Sequence, residues 1–386
     1  MSFARKLLAG YVGIPAYQLL KKTPLTSGIE LLKNSWTWSK VELEAYQIKR
    51  IKSLLIHAEK NISFYKTKFA DASFSPEQLV SLSDLESIPP LTREELLPLQ
   101  KSIQQNGTDL SGVVKGSSSG TSGIPVSYYK DRSTIGMGKA ALSFGQMQSG
   151  WYPGAKTANV WGNPKTVNIL WKRPASRLNA FLMNELRIPA CNLNDPQELD
   201  YAVSTILEKN PAFITGYTNS LRLIAKHIAN ISPDFRCSRV FTTAETLLTP
   251  TKSIIENSLG PVTDMYGCSE INGIAFQCKH CGLYHVTDPH VYLEYEPLEH
   301  GDGFSLLVTD LDNYAMPFIR YRVGDIVEPV QESSPCPSGT HWSSLAAIQG
   351  RISQIIHYND HYINPITYFG DSMGRLLNSH VTGLMG

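Results

Sequence analysis

The sequence has no apolar stretch of the roughly 18 residues that a membrane-spanning helix needs. It also lacks a net charge of consequence: 35 lysines and arginines stand against 34 aspartates and glutamates, leaving +1. The first absence excludes a bilayer-crossing helix. The second removes the basic field on which nucleic-acid binders rely, so no nucleic-acid partner is expected. There is no internal repeat, and no clean apolar core with a small-residue cleavage site near the start. The mixed basic and apolar segment Met1–Lys22 is interrupted by Gly10, Gly13 and Pro15, which argues against a signal peptide and leaves contact with a membrane surface open. Cysteine is scarce, six in 386 residues (Cys191, Cys237, Cys268, Cys278, Cys281 and Cys336), and four of them fall after residue 267. A chain this long, with cysteines so clustered and no secretion signal, is expected to be cytoplasmic and to use them for metal, not for disulfides. What remains, 42% hydrophobic and 18% charged residues, is ordinary globular material.

Four regions are expected. Residues 1–110 read as a helical region packed on the core. Ser39-x-x-Glu42 is a capping box ahead of Leu43, Ile48, Ile51, Leu55 and Ala58 at helical spacing. Ser75-Pro76 opens another helix, and Thr92-x-x-Glu95 repeats the capping signal. Residues 111–285 alternate strand and helix, with strands at 157–161, 212–216, 239–243 and 261–265 and a helix over 220–231. This predicts an α/β domain whose sheets are covered by helices. Residues 286–350 turn β-rich, with period-two alternation over 290–297 and further strands at 304–309 and 326–330. Residues 351–386 read as a hinge and the start of a further lobe.

One stretch has composition out of the ordinary: Ser117-Ser118-Ser119-Gly120-Thr121-Ser122-Gly123-Ile124-Pro125. Hydroxyls and glycines there can aim backbone and side-chain donors at one anion. It lies between two extended runs, and it has no lysine. Both features exclude a Walker loop, which needs Gly-Lys-Ser/Thr opening a helix. Downstream come Thr243-Ala244-Glu245, then Asp264-Met265-Tyr266-Gly267-Cys268-Ser269-Glu270, then Ile319-Arg320-Tyr321-Arg322-Val323-Gly324-Asp325-Ile326, then Gln349-Gly350-Arg351.

In this order and spacing, these segments resemble the adenylate-forming (acyl-CoA synthetase) superfamily. The likeness is nearest to the phenylacetate–CoA ligase group, with its coenzyme F390 synthetase-type and capsule-cluster relatives, and it covers roughly residues 35–356. The resemblance implies a large layered α/β N-terminal domain with a smaller β subdomain. It also implies ATP-dependent activation of a carboxylic acid as an acyl-AMP and transfer to an acceptor thiol, CoA among them, or to an amine; surface polysaccharide assembly is one setting. By resemblance, Ser118, Ser119, Gly120, Thr121, Ser122 and Gly123 hold the β- and γ-phosphates of ATP. Ala244 and Glu245 border the adenine, Tyr266 stacks on it and Gly267 lets backbone approach it. Asp325 accepts the ribose hydroxyls, Glu270 holds Mg²⁺, and Glu270 and Arg351 are the catalytic pair. These assignments suit a reaction that runs on positioning and charge neutralisation.

A second site is expected in Cys278-x-x-Cys281-x-x-x-His285, with Cys336 as fourth ligand and His280 as the alternative histidine. Three sulfurs and one imidazole are the habit of a structural zinc site, and some members of the resembled group carry zinc near this place. The sequence departs from the family twice. Arg351 is followed by Ile352-Ser353-Gln354 instead of an acidic hinge residue, and no lysine follows Lys279, so the lysine-bearing mobile lobe is expected to be largely missing. A catalytically weak ligand-binding or scaffold module, or an adenylyltransferase placing AMP on a hydroxyl, are the alternatives.

Overall fold

The structure, a computed structural model, describes residues 12–15, 23–105, 112–117, 127–162, 167, 171–299, 303–330, 336–358 and 361–363. Along the chain run helices α1 (Leu25–Ser35), α2 (Lys40–Asn61), α3 (Ser63–Asp71) and α4 (Leu96–Gln105), strands β1 (Val114–Ser117) and β2 (Ser127–Lys130), and helix α5 (Arg132–Gln148). Then come β3 (Thr157–Trp161), α6 (Pro174–Leu182), β4 (Glu185–Pro189), α7 (Pro196–Lys209), β5 (Phe213–Tyr217), α8 (Thr218–Ile231), β6 (Arg239–Thr243), α9 (Thr249–Ser258) and β7 (Val262–Tyr266). Strands close the order: β8 (Ala275–Gln277), β9 (Tyr284–Val286), β10 (Val291–Pro297), β11 (Phe304–Asp310), β12 (Tyr321–Pro329), β13 (Ser344–Arg351), β14 (Ile356–Tyr358) and β15 (His361–Ile363). None of the described helices is long and apolar enough to cross a membrane. The chain divides into two compact units. The first comprises Met1–Leu20, Gly145–Tyr266 and Ile355–Gly386, the second Lys21–Phe144 and Gly267–Gln354.

In the first unit, β4, β3, β5, β6 and β7 lie side by side in parallel. Parallel strands need crossover connections, and the helices between them supply these. Helix α7 starts where Asp195 accepts the amide of Gln197 at 2.8 Å, with Pro196 in the first turn, and ends at Asn210 in the left-handed region. Ile206, Leu221, Ile224 and Ile228 from α7 and α8 bury against Val160, Ile214 and Val240 of the strands. Sheets covered by helices read as apolar runs for this reason.

In the second unit the sheet order is β10, β11, β12, β13, β9, β8, with every neighbouring pair antiparallel. Helix α2 carries the expected capping box: Ser39 Oγ accepts the amide of Glu42, and Glu42 returns a carboxylate to the amide of Ser39 at 2.8 Å. Its inner face reaches the strands through polar anchors. Gln47 Nε2 donates to the carbonyls of Asp288 and Val291, and Arg50 donates to the carbonyl of Leu311 and pairs with Asp312 at 2.7 Å. Trp36, Phe144, Phe276 and Trp342 form an aromatic block, ring centroids 4.9–6.1 Å apart. Two local expectations change. Ser75-Pro76 begins only a single 3₁₀ turn without a side-chain cap. The strand expected from residue 326 begins at Tyr321, because Gly324 at φ 85° and a register shift after Ile326 let it run through the Gly-Asp step.

Candidate active site

The Ser/Gly loop residues Ser118, Ser119, Gly120, Thr121, Ser122 and Gly123 lie outside the described residues. The strands on either side are described: Ser117, closing β1, and Ser127, opening β2, are antiparallel partners. Beyond it, Lys130 ends β2 in a buried position, 7% exposed. Its Nζ donates to the carbonyl of Ser269 at 2.8 Å, inside the Cys268–Gly273 turn.

That turn is closed by the Cys268 amide donating to the Ile271 carbonyl at 2.9 Å. It is tight enough that a Cβ on Gly267 would sit 2.8 Å from the Gly273 nitrogen, so glycine there is a packing requirement. Glu270 sits within it, 4% exposed. Burial, with Glu270 and Asp325 adding to it, pushes the Cys268 thiol far above its usual range, so it is a small neutral packing group.

Asp325 on β12 and Arg351 on β13 are register partners, and Arg351 Nε lies 3.2 Å from the Asp325 carboxylate. Arg351 also lines a cavity of about 330 Å³ with Thr92, Arg93, Arg322, Gly324 and Ser353. Gly324 there leaves the backbone bare, with nothing within 4 Å of where a Cβ would be. All of these groups belong to the second unit.

In the first unit, Ala244 follows β6 at φ 72°, a left-handed conformation uncommon for alanine. It turns the chain so that Glu245 accepts the Asn219 amide at 2.6 Å, at the start of α8. Tyr266, ending β7, is buried. Trp161 and Tyr217 meet at 4.3 Å between centroids at the carboxyl ends of β3 and β5, the end at which parallel sheets bind ligands.

The sulfur cluster is assembled from two loops. Cys278 and Cys281 sit in the β8–β9 turn, His285 on β9, and Cys336 arrives ahead of β13; the four ligand atoms all lie within 4.8 Å of one another. Cys278 and Cys336 sulfurs are 3.7 Å apart, and Cys281 Sγ is 3.6 Å from His285 Nε2. A tetrahedral zinc with sulfur at ~2.3 Å sets such edges at ~3.8 Å, so the donor set fits that ion. His285 Nδ1 is held by Ser344 Oγ at 3.0 Å, and burial brings its pKa down to about 4, which keeps the ring neutral with Nε2 facing the sulfurs. His280 instead gives its backbone amide to Cys278 Sγ.

Sequence reasoning passed over Lys130, His290, Asp310 and Asp312. His290, Asp310 and Asp312 form a second buried cluster, but its geometry is that of hydrogen bonds, not ligation: His290 Nδ1 is 2.7 Å from Asp312 and Nε2 is 3.0 Å from the Asn272 carbonyl.

No family model matches the chain. Protein CapK of Staphylococcus aureus is 25% identical over 291 residues, covering 74% of this chain and 63% of CapK. Phenylacetate-coenzyme A ligase of Escherichia coli K12 is 28% identical over 302 residues, covering 74% of this chain and 67% of that protein. The chain thus spans less than two thirds of the length of CapK and about two thirds of the ligase. Among solved structures, 2-hydroxyisobutyryl-CoA ligase in the postadenylation state superposes with a TM-score of 0.72 at 17% identity, over 90% of this chain and 75% of that one. The expected fold class is therefore the one observed: the chain shares the fold of 2-hydroxyisobutyryl-CoA ligase and is similar in sequence to CapK and to phenylacetate-coenzyme A ligase.

Proposed function

We propose that this protein activates a carboxylic acid with ATP. The acid's carboxylate oxygen attacks the α-phosphorus, the bond to the pyrophosphate oxygen breaks, and an acyl-AMP forms for transfer to a thiol such as CoA or to an amine. The observation that carries this reading is the Asp325–Arg351 pair, fixed by the β12–β13 register at the edge of an open cavity. Asp325 can exchange its arginine contact for ribose hydroxyls, which frees the guanidinium to face a phosphate. Glu270, buried in the tight turn, is the carboxylate that would hold Mg²⁺, and Ser118–Gly123 would cradle the outer phosphates. Mg²⁺, when bound, neutralises charge on the phosphates. By the same resemblance, Ala244, Glu245, Tyr266 and Gly267 would border the adenine.

Cys278, Cys281, His285 and Cys336 would hold a structural zinc that pins the β8–β9 turn to the loop before β13. A cytoplasmic setting fits six free cysteines. The test is pyrophosphate release from ATP and Mg²⁺ across a panel of acids, with hydroxylamine as a trap for acyl-AMP. Acid-dependent release with a hydroxamate product is expected, and Asp325→Ala should weaken ATP binding by about tenfold or more, the size of a lost charge-assisted hydrogen bond. Neither acid-dependent release nor ATP binding would overturn the reading. AMP attached to a hydroxyl acceptor, seen by mass spectrometry, would replace acyl transfer with nucleotide transfer. Elemental analysis should find one zinc per chain, lost in Cys336→Ser.

A further inference from the structure

Two buried cations reach the same short turn from below. Lys130 Nζ donates to the Ser269 carbonyl at 2.8 Å, and His290 Nε2 lies 3.0 Å from the Asn272 carbonyl. These carbonyls flank Glu270 on either side, and all the groups belong to the second unit. A carbonyl oxygen can only accept, so His290 Nε2 carries a proton. Its Nδ1 faces Asp312 at 2.7 Å, and the other oxygen of Asp312 is paired with Arg50 at 2.7 Å. Acceptors thus stand at both ring nitrogens of a side chain that is 1% exposed; burial alone would lower the His290 pKa, but the Asp312 hydrogen bond and the charges of Asp310 and Asp312 raise it, which favours the imidazolium.

The counter-charges come from one place, the end of β11. Asp312 holds His290, and Asp310 acts electrostatically on both His290 and Lys130. Asp310 is fully buried, and its Oδ2 has no hydrogen-bond partner among the described residues. A buried ammonium and a buried imidazolium are expensive to keep in a fold unless paired, and a nearby apolar core could have carried the turn without them. Their donors go to backbone carbonyls, which fixes the turn's position and places two positive charges beneath the carboxylate it bears.

We propose that Lys130 and His290 are positioning residues, a two-cation clamp that sets the Glu270 carboxylate for divalent-cation binding. The proposal rests on the reading of Glu270 as the Mg²⁺ carboxylate, and the experiment separates the two. ATP binding is titrated by calorimetry over a range of Mg²⁺ concentrations, and again in EDTA. Lys130→Met should raise the Mg²⁺ concentration at half-effect by about tenfold, the size of one charge-assisted hydrogen bond, while ATP affinity in EDTA stays within about twofold. Lys130→Arg, which keeps charge and donors, should recover most of the shift, and His290→Gln should shift it in the same direction by less. Hydrogen exchange read on the 267–273 peptide should quicken in both Lys130→Met and His290→Gln, with exchange elsewhere unchanged.

The control is Glu270→Gln. If it moves the Mg²⁺ midpoint while Lys130→Met and His290→Gln leave both midpoint and turn exchange in place, the clamp is overturned and the Glu270 reading stands. If wild-type ATP binding ignores Mg²⁺, or Glu270→Gln changes nothing, the Glu270 reading falls and the clamp's purpose with it. Should Lys130→Met fail to fold, Lys130→Arg and His290→Gln decide: turn exchange and midpoint both at wild-type values in His290→Gln overturn the proposal.

Discussion

The two units bury different things. Among the described residues of the first unit, Asp264 is the one buried carboxylate, and no lysine, arginine or histidine is buried there; Asp264 accepts from Thr242 Oγ1 at 2.6 Å, and the other buried polar groups are uncharged. The second unit buries Lys130, Glu270, His285, Asp288, His290, Asp310, Asp312, Arg320 and Asp325. A parallel sheet with helices over it has no use for charge, and burial of unpaired charge destabilises. The second unit accepts that burden in its antiparallel strands and the turns between them. Stability there depends on partners more than on volume, so the two units should break in different ways.

The largest expected effect is the loss of Arg320. Its Nε reaches both oxygens of Glu294 at 3.0 and 3.1 Å, and its Nη1 donates to the carbonyls of Glu86 and Ile88. Arg320→Ala leaves Glu294, whose side chain is only 11% exposed, without its cation and should destabilise the second unit by about 3 kcal/mol. Replacing both partners, Arg320→Met with Glu294→Leu, should be far milder than the single change, as read by urea unfolding. The matching change in the first unit is Leu221→Ala, at a fully buried position, expected to cost about 2–5 kcal/mol through lost contacts and a cavity. No second substitution that merely removes a facing polar group should rescue it. If Leu221→Ala is rescued by removing a charge, or the Arg320–Glu294 double change is as severe as the single, the contrast between the units fails.

Acidity should separate the units next. Burial pushes the Asp288 carboxyl up to about 7, against the Ser343 amide that donates to it at 2.6 Å; burial likewise takes Asp310 to about 6. A carboxyl whose folded pKa lies above its unfolded value of ~3.9 holds a proton that the unfolded chain has released. Its contribution is therefore present at low pH and lost as pH rises through about 7. Asp288→Asn, whose side-chain oxygen can still accept from Ser343, removes that loss. Its stability relative to wild type should rise between pH 5 and pH 8. His285, held down to about 4 by burial, works in the opposite direction, but it is common to both proteins and cancels in the difference. Leu221→Ala should show a difference from wild type that stays flat with pH. A flat difference for Asp288→Asn would mean that Asp288 is ionised throughout.

The legible parts were those whose signal is local. The strands at 157–161 and 239–243 stand where alternation and apolar runs put them, and the Ser39–Glu42 box is made of four consecutive residues. That Cys278, Cys281, His285 and Cys336 stand together was legible because three of the four fall within eight residues. Helix α5 went unread, since its glycines at 136, 138 and 145 and its two-sided burial blur the helical period. Lys130 had no signal at all. Its meaning lies in Ser269, 139 residues away, and a lysine ending a short strand reads as a solvated edge until the fold brings the turn beneath it.

The smallest expected effect tests whether the clamp is set locally or through the helix that braces it. Ser39 caps α2 by accepting the Glu42 amide at 3.3 Å, and α2 delivers Arg50 to Asp312, the partner of His290. Ser39→Ala should lower stability by about 1 kcal/mol, the usual worth of such a cap, because it frees the first-turn amide donors. Arg50 lies three turns further on, beyond the reach of end fraying, and Gln47 pins the intervening turn to the carbonyls of Asp288 and Val291. The Mg²⁺ midpoint for ATP binding should therefore stay where it is in Ser39→Ala even as the urea midpoint falls. A shift of that midpoint in step with stability would make the position of Glu270 a property of the whole second unit, and the carbonyl bonds of Lys130 and His290 would not be what fixes it.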